Sequence, residues 1–348
     1  MLKFNRQFTV LLFLLLLLFA CDATKNLSNQ ALEQQALTAK ENGEWFKAAQ
    51  LFETLYQRKP TDEKANYEAG TNFLKANNAQ KGLTILQKFD RTYENKSAKF
   101  NGRLARLAKA YYKTEQFMEV AKMIENYDYP LMYRGLAREH LKSLIQLQDE
   151  EALAKYFYHY QKSGIYDDKG KKTNAGFLYR AICNEYLLMD NPALLDFYAR
   201  RYAAWAQPRS SKDQRNVAIA TVYQKDYTTA IEKLSTAIAT EDSPRHQLEL
   251  IGLLGVCYAK LGQPEAAKQT LEKINAFPAL PPRHDAFGAK FYHQARVEVA
   301  LGNKETAIQS LKKALANKAE FWSNRFTEDG LLKGLFGEAD FKDLVGGY

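Results

Sequence analysis

Five histidines and three cysteines are the side chains best suited to chemistry in this 348-residue sequence. The histidines are His140, His159, His246, His284 and His293, and none has a second His or Cys three or four residues on. That spacing is what would bring two ligands to one face of a helix around a zinc ion, so no metal site is expected. No GxSxG, HExxH or CxxC occurs. Gly164 and the run Gly170-Lys171-Lys172-Thr173 lack the GxxxxGK[ST] spacing, and no strand precedes them, so they read as a solvated loop rather than a phosphate cradle. Asp149-Glu150-Glu151 lacks the alternating oxygen ligands of a calcium loop and suits the positive end of a helix instead. Glu185 and Asp196 stand apart in amphipathic stretches and form no catalytic pair. The sequence therefore predicts no catalytic residue, no metal and no cofactor.

The elements behind these residues are helical. Glycine (18) and proline (9) are sparse, and 46% of residues are hydrophobic. That composition suits a globular helical chain, long enough for two domains or one extended array. Small residues recur in pairs twelve apart, flanked by apolar ones: Ala36 and Ala48, Gly70 and Gly82, Ala108 and Val120, Ala218 and Ala230, Gly255 and Ala267, Ala295 and Ala307. Paired small residues let two helices approach closely. Gly43, Gly262 and Gly302 fall where the first helix of a pair must stop and the chain turn. Residues 131–164 and 174–207 read as helix pairs with less regular small residues. The coarse count is eight pairs, with no strand signal, and with breaks at 164–174, 207–211 and 277–283.

This pattern resembles the tetratricopeptide repeat. The cleanest copy has Ile251, Leu254, Gly255, Tyr258, Gly262, Ala267, Leu271 and Ile274 at the motif positions; the first has Leu32, Ala36, Gly43, Ala48, Phe52 and Pro60. The resemblance implies an all-α, right-handed superhelical solenoid over residues 29–322, with 131–207 degenerate. Residues 323–348 contain Leu331, Leu332, Leu335, Phe336, Phe341 and Leu344 and resemble the closing helix of such arrays, which must cover the last apolar face. It also implies a partner-binding groove on the first helices of the pairs, at Tyr67, Lys75, Lys109, Tyr112, Lys113, Arg215, Tyr223, Lys260, Tyr292 and Arg296. The carboxylate clamp of some relatives is not expected, since Glu33 and Leu37 occupy its first-repeat positions.

Residues 1–20 carry Lys3 and Arg6 and then the apolar run FTVLLFLLLLLFA. The run is too short for a comfortable membrane span and has the anatomy of a secretory signal. Leu18-Phe19-Ala20-Cys21 resembles the lipobox of bacterial lipoproteins, which implies cleavage before Cys21, acylation of its thiol and a tether over 21–28. An uncleaved anchor and an ordinary signal peptide are the alternatives. Without the first 20 residues, 47 basic side chains face 40 acidic ones, and no dense basic run accompanies the surplus, so nucleic acid is not an expected partner. Cys183 and Cys257 lie in apolar stretches and read as small buried hydrophobes.

The function expected is a non-catalytic protein-binding scaffold, lipid-anchored in a bacterial cell envelope, with envelope proteins as partners and the membrane choice open. The alternative is a glycan- or small-ligand-binding lipoprotein. It would use aromatic platforms over 156–160 and 197–205, and requires Tyr160, Tyr202 and Trp205 to share an exposed patch.

Overall fold

A helix needs its first N–H groups satisfied and a residue that turns the chain at its end. This chain supplies the turn within every pair, and a side-chain cap at six of its described α-helices. The structure, a computed structural model, describes residues 27–88, 98–125, 132–166, 172–173, 175–206, 211–280, 286–316, 322 and 325–346. The expected signal, Cys21 and most of the tether lie outside the described residues.

Eight helix pairs follow one another. They are α1 (Asn29–Asn42) with α2 (Trp45–Arg58), α3 (Glu63–Lys75) with α4 (Ala79–Gln87), α5 (Ala98–Lys113) with α6 (Phe117–Glu125), and α7 (Arg134–Gln146) with α8 (Glu150–Ser163). Then come α9 (Gly176–Leu188) with α10 (Pro192–Trp205), α11 (Ser211–Tyr223) with α12 (Tyr227–Thr240), α13 (Pro244–Lys260) with α14 (Pro264–Ala276), and α15 (Ala286–Leu301) with α16 (Lys304–Leu315). A 3-10 helix (Gly330–Leu335) and α17 (Ala339–Gly346) close the chain. The architecture is an all-α solenoid of stacked helix pairs with a helical C-terminal segment.

Each pair turns through one residue in the left-handed region: Gly43, Asn77, Glu115, Gln148, Asp190, Lys225, Gly262 and Gly302. The glycines are those the sequence predicts. The five others, with φ between 54° and 59°, show that the degenerate pairs turn like the regular ones. In four pairs an Asx residue follows directly and caps the second helix. Asn78, Asp149, Asn191 and Asp226 accept from the backbone N–H of Lys81, Ala152, Leu194 and Thr229 at 3.3, 2.9, 3.1 and 3.2 Å. A left-handed non-glycine residue costs roughly 1–2 kcal/mol, and glycine returns part of that through its unfolded-state entropy. Lys225→Gly is therefore expected to raise stability by about 0.5–1 kcal/mol, read as a higher urea midpoint at unchanged slope.

The predicted small residues are buried at close helix approaches. Ala36, Ala48, Ala108, Val120, Ala218, Ala230, Ala267, Ala295 and Ala307 are all fully buried. A Cβ on Gly70 would lie 2.7 Å from the Leu86 side chain, and one on Gly255 would lie 2.7 Å from Val297. The core is a succession of three apolar clusters along the array, around Phe52 and Phe73, around Phe157, Ile182 and Leu234, and around Tyr292, Leu311 and Phe326.

One expectation needs correction. Residues 132–133, 165–166 and 172–173 form a three-stranded sheet, parallel between the first two strands (Met132 opposite Ile165) and antiparallel between the last two (Ile165 opposite Thr173). Strands of two residues cannot display the period-two alternation that marks a strand in sequence.

The first helices of successive pairs touch one another from α3 to α15 and form the inner layer of the array. The C-terminal 3-10 helix lies against this layer, on α9 and α15.

Candidate binding groove

The inner layer carries a polar network around residues 325–335 of the same chain. Asn184 on α9 grips this segment in both directions. Its Nδ2 donates to the Glu328 carbonyl at 2.6 Å, and its Oδ1 accepts from the Gly330 N–H at 3.0 Å. Gly330 is required there, since a Cβ would lie 2.8 Å from Leu187. Lys333 Nζ donates to the Leu188 carbonyl and pairs with Asp190, both at 2.5 Å. Further on, the Val345 carbonyl accepts from Asn77 Nδ2 at 3.3 Å. The segment thus crosses from the last pair back to the second.

Its two carboxylates meet the predicted groove residues. Asp329 Oδ2 accepts from Arg296 Nε at 2.7 Å and from the Tyr292 hydroxyl at 2.5 Å, in a buried triad. Burial alone would raise the Asp329 carboxyl, but Arg296, the Tyr292 hydroxyl and the Leu331 N–H hold it below the usual carboxylate range. Burial pushes Tyr292 up to about 12. Glu328 Oε1 lies 3.3 Å from Lys109 Nζ and 3.8 Å from Lys113 Nζ. Burial and the neighbouring Lys109 and Lys142 pull Lys113 down to about 8, with Glu328 opposing them. Lys142 sits 3.8 Å from the centre of the Tyr112 ring and 3.5 Å from Glu185, which also accepts from the Tyr112 hydroxyl and from Gln146 Nε2 at 2.6 Å.

Lys109, Lys113, Tyr292 and Arg296 therefore gather around one docked segment, Tyr223 lines the cavity beside it, and Tyr112 packs against Lys142 and Glu185 instead. Tyr292 (1% exposed) and Arg296 (9%) are covered by that segment rather than open. Tyr67 and Lys75 pack elsewhere, under Arg103 at 5.5 Å and over Trp45 at 4.0 Å. Arg215 pairs with Glu241 at 3.2 Å, and Lys260 ends α13 exposed.

Arg138, Lys142, Arg180 and Asn184 are absent from the sequence expectation, whereas Lys109, Arg215 and Arg296 belong to it. Arg138, Arg180 and Arg215 each stand ten residues before the left-handed residue of their pair, Gln148, Asp190 and Lys225. They are one ladder on three consecutive first helices. Lys109, Lys142, Asn184 and Arg296 each stand six residues before theirs. Counting back from the non-glycine turns Gln148 and Asp190 finds Arg138, Lys142, Arg180 and Asn184. Arg138 donates from Nε to Glu139 at 2.9 Å, and Arg180 pairs with Glu249.

The aromatic clusters do not form a platform. Tyr160 and Tyr202 are fully buried and Trp205 is partly buried against them. Tyr202 stacks on Tyr179 at 5.3 Å, and Tyr160 bonds His140 Nδ1 through its hydroxyl at 2.7 Å. These rings are core. Tyr158 and Phe197 are the exposed exceptions.

Cys183 and Cys257 are buried and unpaired. Among the described residues, no group of His, Cys, Asp and Glu could hold a metal ion, and no helix is long and apolar enough to cross a membrane.

Burial pulls His140 down to about 4 and His293 down to about 3. Both remain neutral in the fold where the unfolded chain, with an ordinary histidine value near 6.5, takes up protons. The unfolded state then binds more protons, so stability falls with falling pH from about 6.5 towards 4. A lower urea midpoint at pH 5 than at pH 7 is expected, and the drop should shrink in a His140→Gln/His293→Gln variant.

Residues 222–290 match the family model described as tetratricopeptide repeat. Among solved structures, the chain is similar to a tetratricopeptide repeat protein from Parabacteroides merdae ATCC 43184, at 14% identity over 88% of this chain and 98% of that one, TM-score 0.42. It is similar to the APC/C hetero-tetramer Cut9-Hcn1 at 13% identity over 87% of this chain and 55% of that one, TM-score 0.34. A thermophilic TPR protein of Thermus thermophilus aligns at 16% identity over 71% and 89%, TM-score 0.24. No curated protein sequence matches. The described residues thus form an all-α array of eight helix pairs, of which residues 222–290 match the tetratricopeptide repeat.

Proposed function

We propose that this chain is a non-catalytic adaptor, held at a bacterial cell envelope by an acylated Cys21, that carries an envelope protein on the inner layer of its helix pairs. The observation that carries the binding part is the way Asn184, Arg296 and Lys109 already hold a peptide segment there, by its backbone and its carboxylates together. Tetratricopeptide repeats generally serve protein–protein interaction, and elongated inner layers of this kind offer a long contact surface. The anchor rests on the apolar run ending at Cys21; two or three acyl chains, at about 0.8 kcal/mol per buried CH₂, would make the attachment lasting.

The binding part is tested by photocrosslinking in cells. A photoreactive residue at Arg138 or Tyr223 should capture a reproducible protein partner, while one at Lys155 or Lys268, on the second helices, should not. Equal capture from both sides, or none, would reject the reading. For the anchor, Cys21→Ala should release the protein from membranes, and continued membrane retention would reject acylation.

A further inference from the structure

Beside the docked segment lies a cavity of about 410 Å³ on the inner layer. Five arginines line it: Arg134, Arg138, Arg180, Arg296 and Arg325. Its carboxylates are Glu328 and Asp329 alone. Asp329 is taken by Arg296 and Tyr292, and Glu328 turns to Lys109 and Lys113. Arg138 and Arg180 have partners in Glu139 and Glu249 behind the wall. Among the described residues, no carboxylate is paired with Arg134 or Arg325. Arg134 sits 5.9 Å from the Phe177 ring, and Arg325 lies 5.1 Å from the Tyr292 ring and 5.6 Å from that of Trp322. A second cavity of about 230 Å³ shares Arg180, Tyr292 and Arg325 and adds Arg245, His246 and the carboxylate of Glu249, the partner of Arg180.

We propose that this arginine-lined cavity binds an acidic segment of a partner protein, with two or more Asp or Glu carboxylates. Guanidinium forks match carboxylates in two-point geometry and favour them over neutral groups. Arginines already resting on aromatic faces lose little freedom when an anion arrives. The groove's own occupant shows the chemistry in miniature, since Glu328-Asp329 is held by basic side chains while Asn184 holds its backbone. The ladder of Arg138, Arg180 and Arg215 would extend the same preference along the inner layer. The assignment rests on the adaptor reading given above.

The test is fluorescence anisotropy of the purified full-length chain with a labelled hexaglutamate peptide, and with hexaglutamine as control. Hexaglutamate should bind saturably, hexaglutamine should not, and the affinity should fall as salt rises. Arg134→Ala/Arg325→Ala should weaken binding about tenfold. Arg134→Ala alone, at an exposed position opening α7, should weaken it about threefold with unchanged thermal unfolding. No saturable hexaglutamate binding, equal binding of hexaglutamine, or an unaltered Arg134→Ala affinity would overturn the proposal. Citrate or inorganic phosphate binding as tightly as the peptide would overturn it in favour of a small anion. A hexaphosphoserine peptide binding far better than hexaglutamate would overturn it in favour of a phosphorylated partner. If a photocrosslinked partner were retained while these results failed, the adaptor reading would stand without this cavity.

Discussion

Asp329→Ala should cost about 3–5 kcal/mol, the largest single loss expected outside the apolar core. The reason is asymmetry. Arg296 stays buried and charged when its carboxylate is removed, and the Tyr292 hydroxyl loses its acceptor. The backbone N–H of Leu331, which donates to Asp329 Oδ1 at 3.0 Å, loses its cap as well. Denaturant unfolding should show the loss, and hydrogen exchange should locate it, with protection falling first in α15, the 3-10 helix and α17. Arg296→Met with Asp329→Leu should recover part of the stability, because no buried charge is then left unpaired, although the Tyr292 hydroxyl and the Leu331 N–H still lose their acceptor. A single Asp329→Ala loss below about 1 kcal/mol, the range of an exposed ion pair, would show that the segment is not held by this triad.

A comparable loss is expected at the other end of the size scale of interactions, in pure packing. Phe157→Ala on α8 should cost about 3–5 kcal/mol. Phe157 is buried and meets Tyr179 edge-on at 4.6 Å and Tyr198 at 6.2 Å. Removing its ring empties the interface between the fourth and fifth pairs, where small residues do not set the spacing. Phe157→Leu should cost far less, since it keeps most of the volume. Loss of the fourth and fifth pairs' exchange protection, with the ends of the array intact, would mark the effect as local.

The repeat itself was legible because it depends on nearest-neighbour geometry. Ala218 and Ala230, or Gly255 and Ala267, announce a close helix crossing through their size alone. Gly43, Gly262 and Gly302 announce the turn through their conformational freedom. Glu115, Gln148 and Lys225 announce nothing, because no property of those side chains favours the left-handed region they occupy. The central pairs looked irregular for a related reason. Their interfaces are filled by Phe157, Tyr179, Tyr198 and Tyr202, whose rings do the spacing that methyl groups do elsewhere. Phe157, Tyr198 and Tyr202 also read as parts of binding platforms in sequence, since an aromatic on a helix carries no mark of which face it takes.

The groove was half legible. Counting along recognised repeats singles out Lys109, Tyr112, Lys113, Tyr292 and Arg296, and four of these, Tyr112 excepted, touch Glu328 or Asp329. Asn184, Arg138 and Arg180 were missed because their repeats could not be aligned. That Glu328 and Asp329 would lie on these residues could not be read at all, because it is a contact between distant parts of the chain. The apolar residues of 331–344 marked that segment as covering a face, without marking which one.

The hydrogen bond from Asn77 to the Val345 carbonyl joins residues 268 apart in sequence. An ordinary helical array is the fastest kind of fold, since every contact is with an adjacent unit and order can start anywhere. Here the earliest units wait for the latest. A chain emerging from the ribosome can stack its pairs in turn, yet it cannot fasten α9 and the end of α3 until residues 328–345 are free. Folding should therefore show a rapid phase that builds the pairs and a slower one that closes them into a ring of contacts. Once closed, the array loses the independence of its parts, so stretching it must first open the bridge that residues 328–345 complete.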